Sequence, residues 1–413
     1  MKTFRSILFW MHLAAGLIGG LAVGVMCFTG TMLAFEDEIV AWSERDVRQV
    51  AVPADGAARQ SLAELQRKLR EAQPDFRAAS VTVLNDPAAA VLFSVGRDGG
   101  CYANPYTGAL SPPASAKMRA FMQTMTDWHR FLGRSGDQRP IGKAINGACN
   151  LAFCFLAISG LYLWMPRTWS WRGMKAVALF NWKSTGKARD FNWHNVIGLW
   201  SAPILIVLTL TAVPISYRWG SNLVYRLAGE EPPAQGQGPA AATSAFEIKR
   251  PAPDARPLGY DAIVAQVQKD FPNWSGITLR SGGPQQRGAG GAAPASANVS
   301  PTAQTQSSGA RTPQPFTVTV RESGAWPRTA TTTLTLNPFT GEVLKREGFG
   351  DFTTGRQLRT WTRFLHTGQA LGWAGQFVAA LACLGGCFLV YTGIALSCRR
   401  FFGKRDKSAT ATA

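Results

Sequence analysis

Four stretches of about twenty or more mostly apolar residues constrain this chain more than any other feature: roughly 7–35, 141–165, 194–219 and 371–397. Each is long enough to cross a hydrocarbon core about 30 Å thick as a helix. A purely soluble protein is therefore excluded. The mean hydropathy of −0.03 conceals this, because it averages apolar spans with polar segments. The first stretch follows Lys2 and Arg5, a basic start like that of a secretory signal. It is too long for one and no small-x-small cleavage site follows, so it reads as a retained helix. Gly and Ala are frequent in the spans, as close helix packing in lipid requires.

A formal charge of +18 would ordinarily raise nucleic acid as a partner, but its distribution gives another reason for it. The segment 166–193 holds Arg167, Arg172, Lys175, Lys183, Lys187 and Arg189 against Asp190 alone. The tail after Ser397 holds Arg399, Arg400, Lys404, Arg405 and Lys407 against Asp406. The segment 36–140 balances its basic and acidic residues at thirteen each. By the positive-inside rule both termini and 166–193 are cytoplasmic, and the long loops lie outside. The expected order is helix 1 (1–35), outer domain 1 (36–140), helix 2 (141–165), a basic cytoplasmic loop (166–193), helix 3 (194–219), outer domain 2 (220–370), helix 4 (371–397) and a cytoplasmic tail (398–413). Lipid is the implied partner of the spans, and no nucleic acid is needed.

The two outer loops read alike. In the first, a helical stretch over 61–72 with Leu62, Leu65 and Leu69 at spacings of three and four precedes strand-like runs at 80–84, 90–95 and 101–106. NPYTGAL (104–110) follows. In the second, a helical stretch over 260–270 precedes runs at 277–280, 316–321 and 331–336, then NPFTGEV (337–343). Asn-Pro with a glycine three residues beyond is a turn signature. Its recurrence in the same order points to internal duplication. The halves 7–165 and 194–397 start on the same side, so the repeat is parallel. The Pro/Gly/Ala/Ser/Gln-rich segment 281–315, and similarly 231–244, reads as a flexible insert. Its glycines match no phosphate-binding pattern.

The chain has four histidines, His12, His129, His194 and His366. The duplication matches His12 with His194 near the cytoplasmic starts of the halves, and His129 with His366 on the outer side. An ionisable group inside a span, such as His12, is a functional signal by default. A pair of imidazoles without carboxylate or thiolate is a poor zinc site. It is what haem iron needs, with four equatorial nitrogens in place and two axial positions to fill. Two bis-His haems b are therefore expected, one on His12 and His194 and one on His129 and His366. Gly16, Gly198 and Gly133 lie one helical turn beyond a histidine and would leave room for a flat ring. Arg130 and Arg363 would pair with propionates. Trp10, Trp128, Trp193 and Trp361 also lie near the histidines. The seven cysteines form no disulfide framework and no CxxCH. Cys383 and Cys387, on one helix face, read as packing residues rather than a redox pair. No nicotinamide or flavin fingerprint is present, and GLIGG (16–20) inside a span is a packing feature.

The order WMHLAAGL (10–17), NPYTGAL, DWHRFLG (127–133), ISGLYLWMPR (158–167), FNWHNVIGLW (191–200), NPFTGEV, RFLHTG (363–368) and LVYTGIAL (389–396) resembles the PepSY-associated transmembrane family over nearly the whole chain. The resemblance implies four membrane helices in two parallel-repeat halves with two extracytoplasmic α+β PepSY-like domains. It also implies relatives that reduce ferric siderophores at the inner membrane in iron uptake. The expected activity is thus a haem-dependent ferric-siderophore reductase, supplied with electrons by a membrane quinol, a diffusible reductant or a cytoplasmic reductase. Tyr102, Tyr106, Trp274, Arg321, Trp326 and Phe339 are candidate docking residues. The alternatives are a non-enzymatic PepSY protein that binds a partner or regulates a protease, and a siderophore transporter. The near absence of charged residues in the spans counts against the transporter.

Overall fold

The computed structural model describes residues 2–95, 99–165, 170–234, 246, 248, 250–252, 255–280 and 314–402. Most of the expected inserts (231–244 and 281–315) and of the tail lie outside these residues. The helices are α1 (Lys2–Leu33), α2 (Glu36–Ser43), α3 (Arg45–Arg48), α4 (Leu62–Ala72), α5 (Ala116–Phe131), α6 (Arg139–Trp164), α7 (Trp171–Ala178), α8 (Gly186–Ser216), α9 (Arg218–Leu227), α10 (Tyr260–Asp270), α11 (Thr354–His366) and α12 (Trp373–Phe401). The strands are β1 (Ser80–Leu84), β2 (Val91–Val95), β3 (Gly99–Ala103), β4 (Leu110–Ser111), β5 (Trp274–Arg280), β6 (Phe316–Glu322), β7 (Thr332–Leu336) and β8 (Val343–Glu347). Two compact units result. One comprises 1–35, 122–224 and 358–413, and the other 36–121 and 225–357.

The helical unit is built on α1, α6, α8 and α12, each long and apolar enough to cross a membrane. Ile18 and Leu21 of α1 stand 88% and 80% exposed, which lipid tolerates and water does not. α6 and α12 each pack on both α1 and α8, so α1 and α8 lie on one diagonal of the bundle and α6 and α12 on the other. Consecutive glycines make the close approaches. A Cβ on Gly385 would collide with Ser201 of α8, and one on Gly386 with Cys27 of α1. α8 begins at Gly186, earlier than the apolar pattern indicates, because the polar residues 186–193 continue the helix outward. His194 therefore sits about two turns inside its helix, as His12 does in α1.

In the sheet unit the two long loops do not form separate bodies. Their strands join in one antiparallel sheet of order β4-β3-β2-β1-β5-β6-β7-β8, four from each loop, closed by pairing of β1 with β5. Sequences such as SVTVL and FTVTVRE alternate by the two-residue pleat. Val81, Val83, Val318 and Val320 are buried with Phe93, Ile277, Leu279, Leu334 and Leu336. Against them pack Leu62, Leu65 and Leu69 of α4 and Ile263, Val264 and Val267 of α10. The Asn-Pro turns explain themselves. Asn104 Oδ1 accepts from the Tyr106 amide at 2.9 Å and Asn337 Oδ1 from the Phe339 amide at 3.0 Å. Gly108 and Gly341 take φ of +76° and +73°, a region that favours glycine. The Pro105 and Pro338 carbonyls each accept an amide, from Gln60 and Leu258, both at 2.7 Å. Each turn thus anchors the chain just before α4 or α10.

Two expectations about side chains need correction. Tyr102 and Trp274 are not docking residues: they are 4% and 9% exposed. Tyr102 donates to Glu44 at 2.9 Å and Trp274 packs in the sheet core. Trp326 is open, at 61% exposure.

Candidate functional site

The helical unit contains all four histidines. His12 and His194 lie on the diagonal helices α1 and α8. His12 Nδ1 is 2.8 Å from Ser159 Oγ on α6, and His194 Nδ1 is 2.8 Å from Thr392 Oγ1 on α12. His129 closes the C-terminal end of α5, with Nδ1 3.1 Å from the Met26 carbonyl and 3.0 Å from Thr29 Oγ1, both on α1. His366 ends α11, with Nδ1 2.9 Å from the Leu208 carbonyl on α8. Met26 follows His12 by fourteen residues, and Leu208 follows His194 by the same interval. At 1.5 Å per residue the two levels of histidine stand roughly 21 Å apart along the helices.

These partners fix the tautomers. A carbonyl can only accept, so Nδ1 of His129 and of His366 carries the hydrogen. Thr392 Oγ1 donates its own hydrogen to the Phe388 carbonyl at 2.8 Å, so it accepts from His194. Ser159 Oγ donates to the Leu156 carbonyl at 3.3 Å and likewise accepts from His12. All four rings are left with an unprotonated Nε2 that no hydrogen bond uses among the described residues. The metal-ligand histidine pattern is the same, one nitrogen on the metal and the other donating to a hydroxyl or carbonyl. Burial pushes the His129 imidazole down to about 4, helped by the neighbouring His366, and burial lowers His366 too. Both rings are neutral at neutral pH.

The His129 and His366 rings face each other with centroids 6.2 Å apart and planes 50° apart. Two Fe–N bonds of about 2 Å, with about 1 Å from each ring centre to its nitrogen, require roughly 6 Å. No group of three or more His, Cys, Asp or Glu suited to a metal ion occurs among the described residues. Two imidazoles at each level suit the two open positions of a haem iron.

A Cβ on Gly16 would lie 3.9 Å from Leu156, and on Gly198 3.7 Å from Leu389, with no other atom within 4 Å, so each glycine leaves open space one helical turn beyond a histidine. Gly133, with φ of +73°, ends α5 and lies against Trp128. The glycines that touch the rings are ones that the sequence reading passed over. A Cβ would be 3.2 Å from His12 Cε1 at Gly160, 3.6 Å from His194 Cε1 at Gly393, and 3.4 Å from His129 Cε1 at Gly30. The recurrence of Ser159-Gly160 and Thr392-Gly393 in the two returning helices was the available signal. The hairpins after His129 and His366 are tight in the same way. A Cβ on Gly142 would strike the Phe131 carbonyl, and one on Gly375 the Gly368 carbonyl. Arg130 and Arg363 are both exposed, next to His129 and three residues before His366. Cys27, Cys383 and Cys387 are free thiols packed in the bundle.

Four apolar helices long enough to cross a membrane and an antiparallel sheet unit define a membrane protein. The chain belongs to the PepSY-associated TM region family, whose model matches residues 9–400. No curated protein matches it.

Proposed function

We propose that this protein is an inner-membrane di-haem electron conduit that reduces a periplasmic ferric siderophore and releases Fe(II) for uptake. The observation that carries the reading is the pair His129 and His366, whose rings stand 6.2 Å apart with both Nδ1 hydrogens bonded to main-chain carbonyls. His12 and His194 would hold the second haem b. Haem at the two levels would supply one-electron chemistry between donor and chelate. The protein's own residues keep each Nε2 unprotonated and orient the rings through the hydrogen bonds at Nδ1. Arg130 and Arg363 would pair with propionates. The basic segments favour a cytoplasmic position for both termini, and the sheet unit, with two PepSY-like halves related by duplication, would then be periplasmic. The matched contacts of α1–α6 and α8–α12 support that duplication. Each ferric ion takes one electron, so a quinol or a cytoplasmic two-electron reductase serves two chelates. Siderophore oxygens are hard donors that favour Fe(III), and Fe(II) is held less well.

The test is the visible spectrum of protein purified in detergent from haem-replete cells, with dithionite added. Reduced b-type bands from two haems per chain are expected. His12→Ala and His194→Ala should remove one component, and His129→Ala and His366→Ala the other. A colourless protein would overturn the reading, and other pairings would overturn the assignment.

A further inference from the structure

The two levels differ in what accepts the Nδ1 hydrogen. At the outer level it is a main-chain carbonyl in each case, with Thr29 Oγ1 added at His129. At the level of His12 and His194 it is a side-chain hydroxyl on each side, Ser159 and Thr392, with the Leu389 carbonyl added at His194. Both hydroxyls stand in relays, from imidazole to hydroxyl to helix carbonyl. An acceptor on Nδ1–H pulls the hydrogen away and makes Nε2 a stronger donor to a metal. A hydroxyl that is itself donating well is a better acceptor, because chained hydrogen bonds polarise one another.

We propose that Ser159 and Thr392 are positioning residues that tune His12 and His194 electronically, independently of the outer pair. The proposal rests on the di-haem reading. Electron-richer ligands stabilise ferric iron more than ferrous, so the two hydroxyls hold down the midpoint potential at this level. Their contributions are unequal. Thr392 donates to Phe388 over 2.8 Å, whereas Ser159 donates to Leu156 over 3.3 Å. Thr392 is therefore the stronger acceptor and has the larger effect. The adjoining glycines let each hydroxyl reach its ring, since the returning helix lies against Cε1 at Gly160 and Gly393. At the outer level the main-chain carbonyls stay whatever side chain is placed there, and only the added Thr29 hydroxyl at His129 can be removed by substitution.

The experiment is a reductive titration of the full chain in detergent, followed by its visible spectrum. The component missing in His194→Ala identifies the level concerned. Thr392→Val is expected to raise the midpoint of that component, Ser159→Ala to raise it less, and neither to move the other component. Thr392→Ser, which keeps the hydroxyl, should titrate like the parent. If both haems remain and neither Thr392→Val nor Ser159→Ala moves the midpoint, the proposal fails while the di-haem reading stands. Equal movement of both components also overturns it. Should Thr392→Val lose the haem, Ser159→Ala and Thr392→Ser decide by the same criteria. A colourless parent protein overturns the underlying reading as well.

Discussion

Glu44 in the sheet unit is fully buried and the four histidines in the helical unit are half-buried, and they differ in how completely they are bonded. Glu44 is 0% exposed. Its Oε1 accepts from Ser115 and Arg119, and its Oε2 from Arg48, Tyr102 and Arg119. Burial alone would raise its carboxyl, but these donors outweigh it and hold the group at about 2. Nothing is left on Glu44 for a ligand, so it is a strut. Each histidine has one nitrogen bonded and one spare. The four spare nitrogens, in half-buried rings, are the feature on which the proposed haem sites rest.

The sharpest break in this comparison is removal of a ligand. His366→Ala should lose about half of the bound haem absorbance, and imidazole in the buffer should restore part of it because His129 remains oriented by Met26. Removal of the strut should do the opposite. Glu44→Gln leaves Arg119 and Arg48 facing an uncharged amide and should destabilise the sheet unit by on the order of 3 kcal/mol, with haem content unchanged. Thermal unfolding and pyridine haemochrome assay separate the two effects. The carboxyl is depressed in the folded state, so its stabilisation is complete above the ordinary value of 4.5 and is lost as pH falls through about 2. An acid titration of stability should show this slope in the parent and not in Glu44→Gln. A smaller effect is expected at the glycines beside the rings. Gly160→Ala, at 3.2 Å from His12, should weaken haem retention more than Gly393→Ala, at 3.6 Å from His194, measured by transfer to apomyoglobin. Smallest of all, Gly16→Ala meets Leu156 at an ordinary 3.9 Å and should not change stability measurably. A loss of haem retention there would support the ring-facing role that its spacing suggested.

Much of this was legible because the relevant periods are short. β1 spans Ser80–Leu84 and α10 spans Tyr260–Asp270, where alternation and helical spacing place them. The four spans stand out by length. Pairing of the histidines was readable only through the repeated Asn-Pro turns, since nothing local to His129 points to His366. What stayed hidden depends on the third dimension. The pairing of β1 with β5 joins residues some two hundred positions apart, and no pattern within either loop announces it. The polar start of α8 was read as loop because hydropathy marks where a helix meets lipid and not where it begins. Tyr102 looked available because an aromatic near a turn is often exposed. Its burial follows from the acceptor at Glu44, which lies in a different element. Gly160 and Gly393 escaped notice because their role is toward a ring on another helix.

The β1–β5 seam also sets an order of events during synthesis. Until Arg280 has left the ribosome, β1 is an unpaired strand edge, with β2 on one side and nothing on the other. Two membrane helices, α6 and α8, must be threaded before the partner strand exists. Such an edge is a ready template for a second chain, and the late arrival of its partner makes the pairing slow. A chain truncated after α6 would carry that edge permanently, and two such fragments would be expected to join through it. In the complete fold the second half supplies the strand that covers this edge, and the sheet ends instead at β4 and β8.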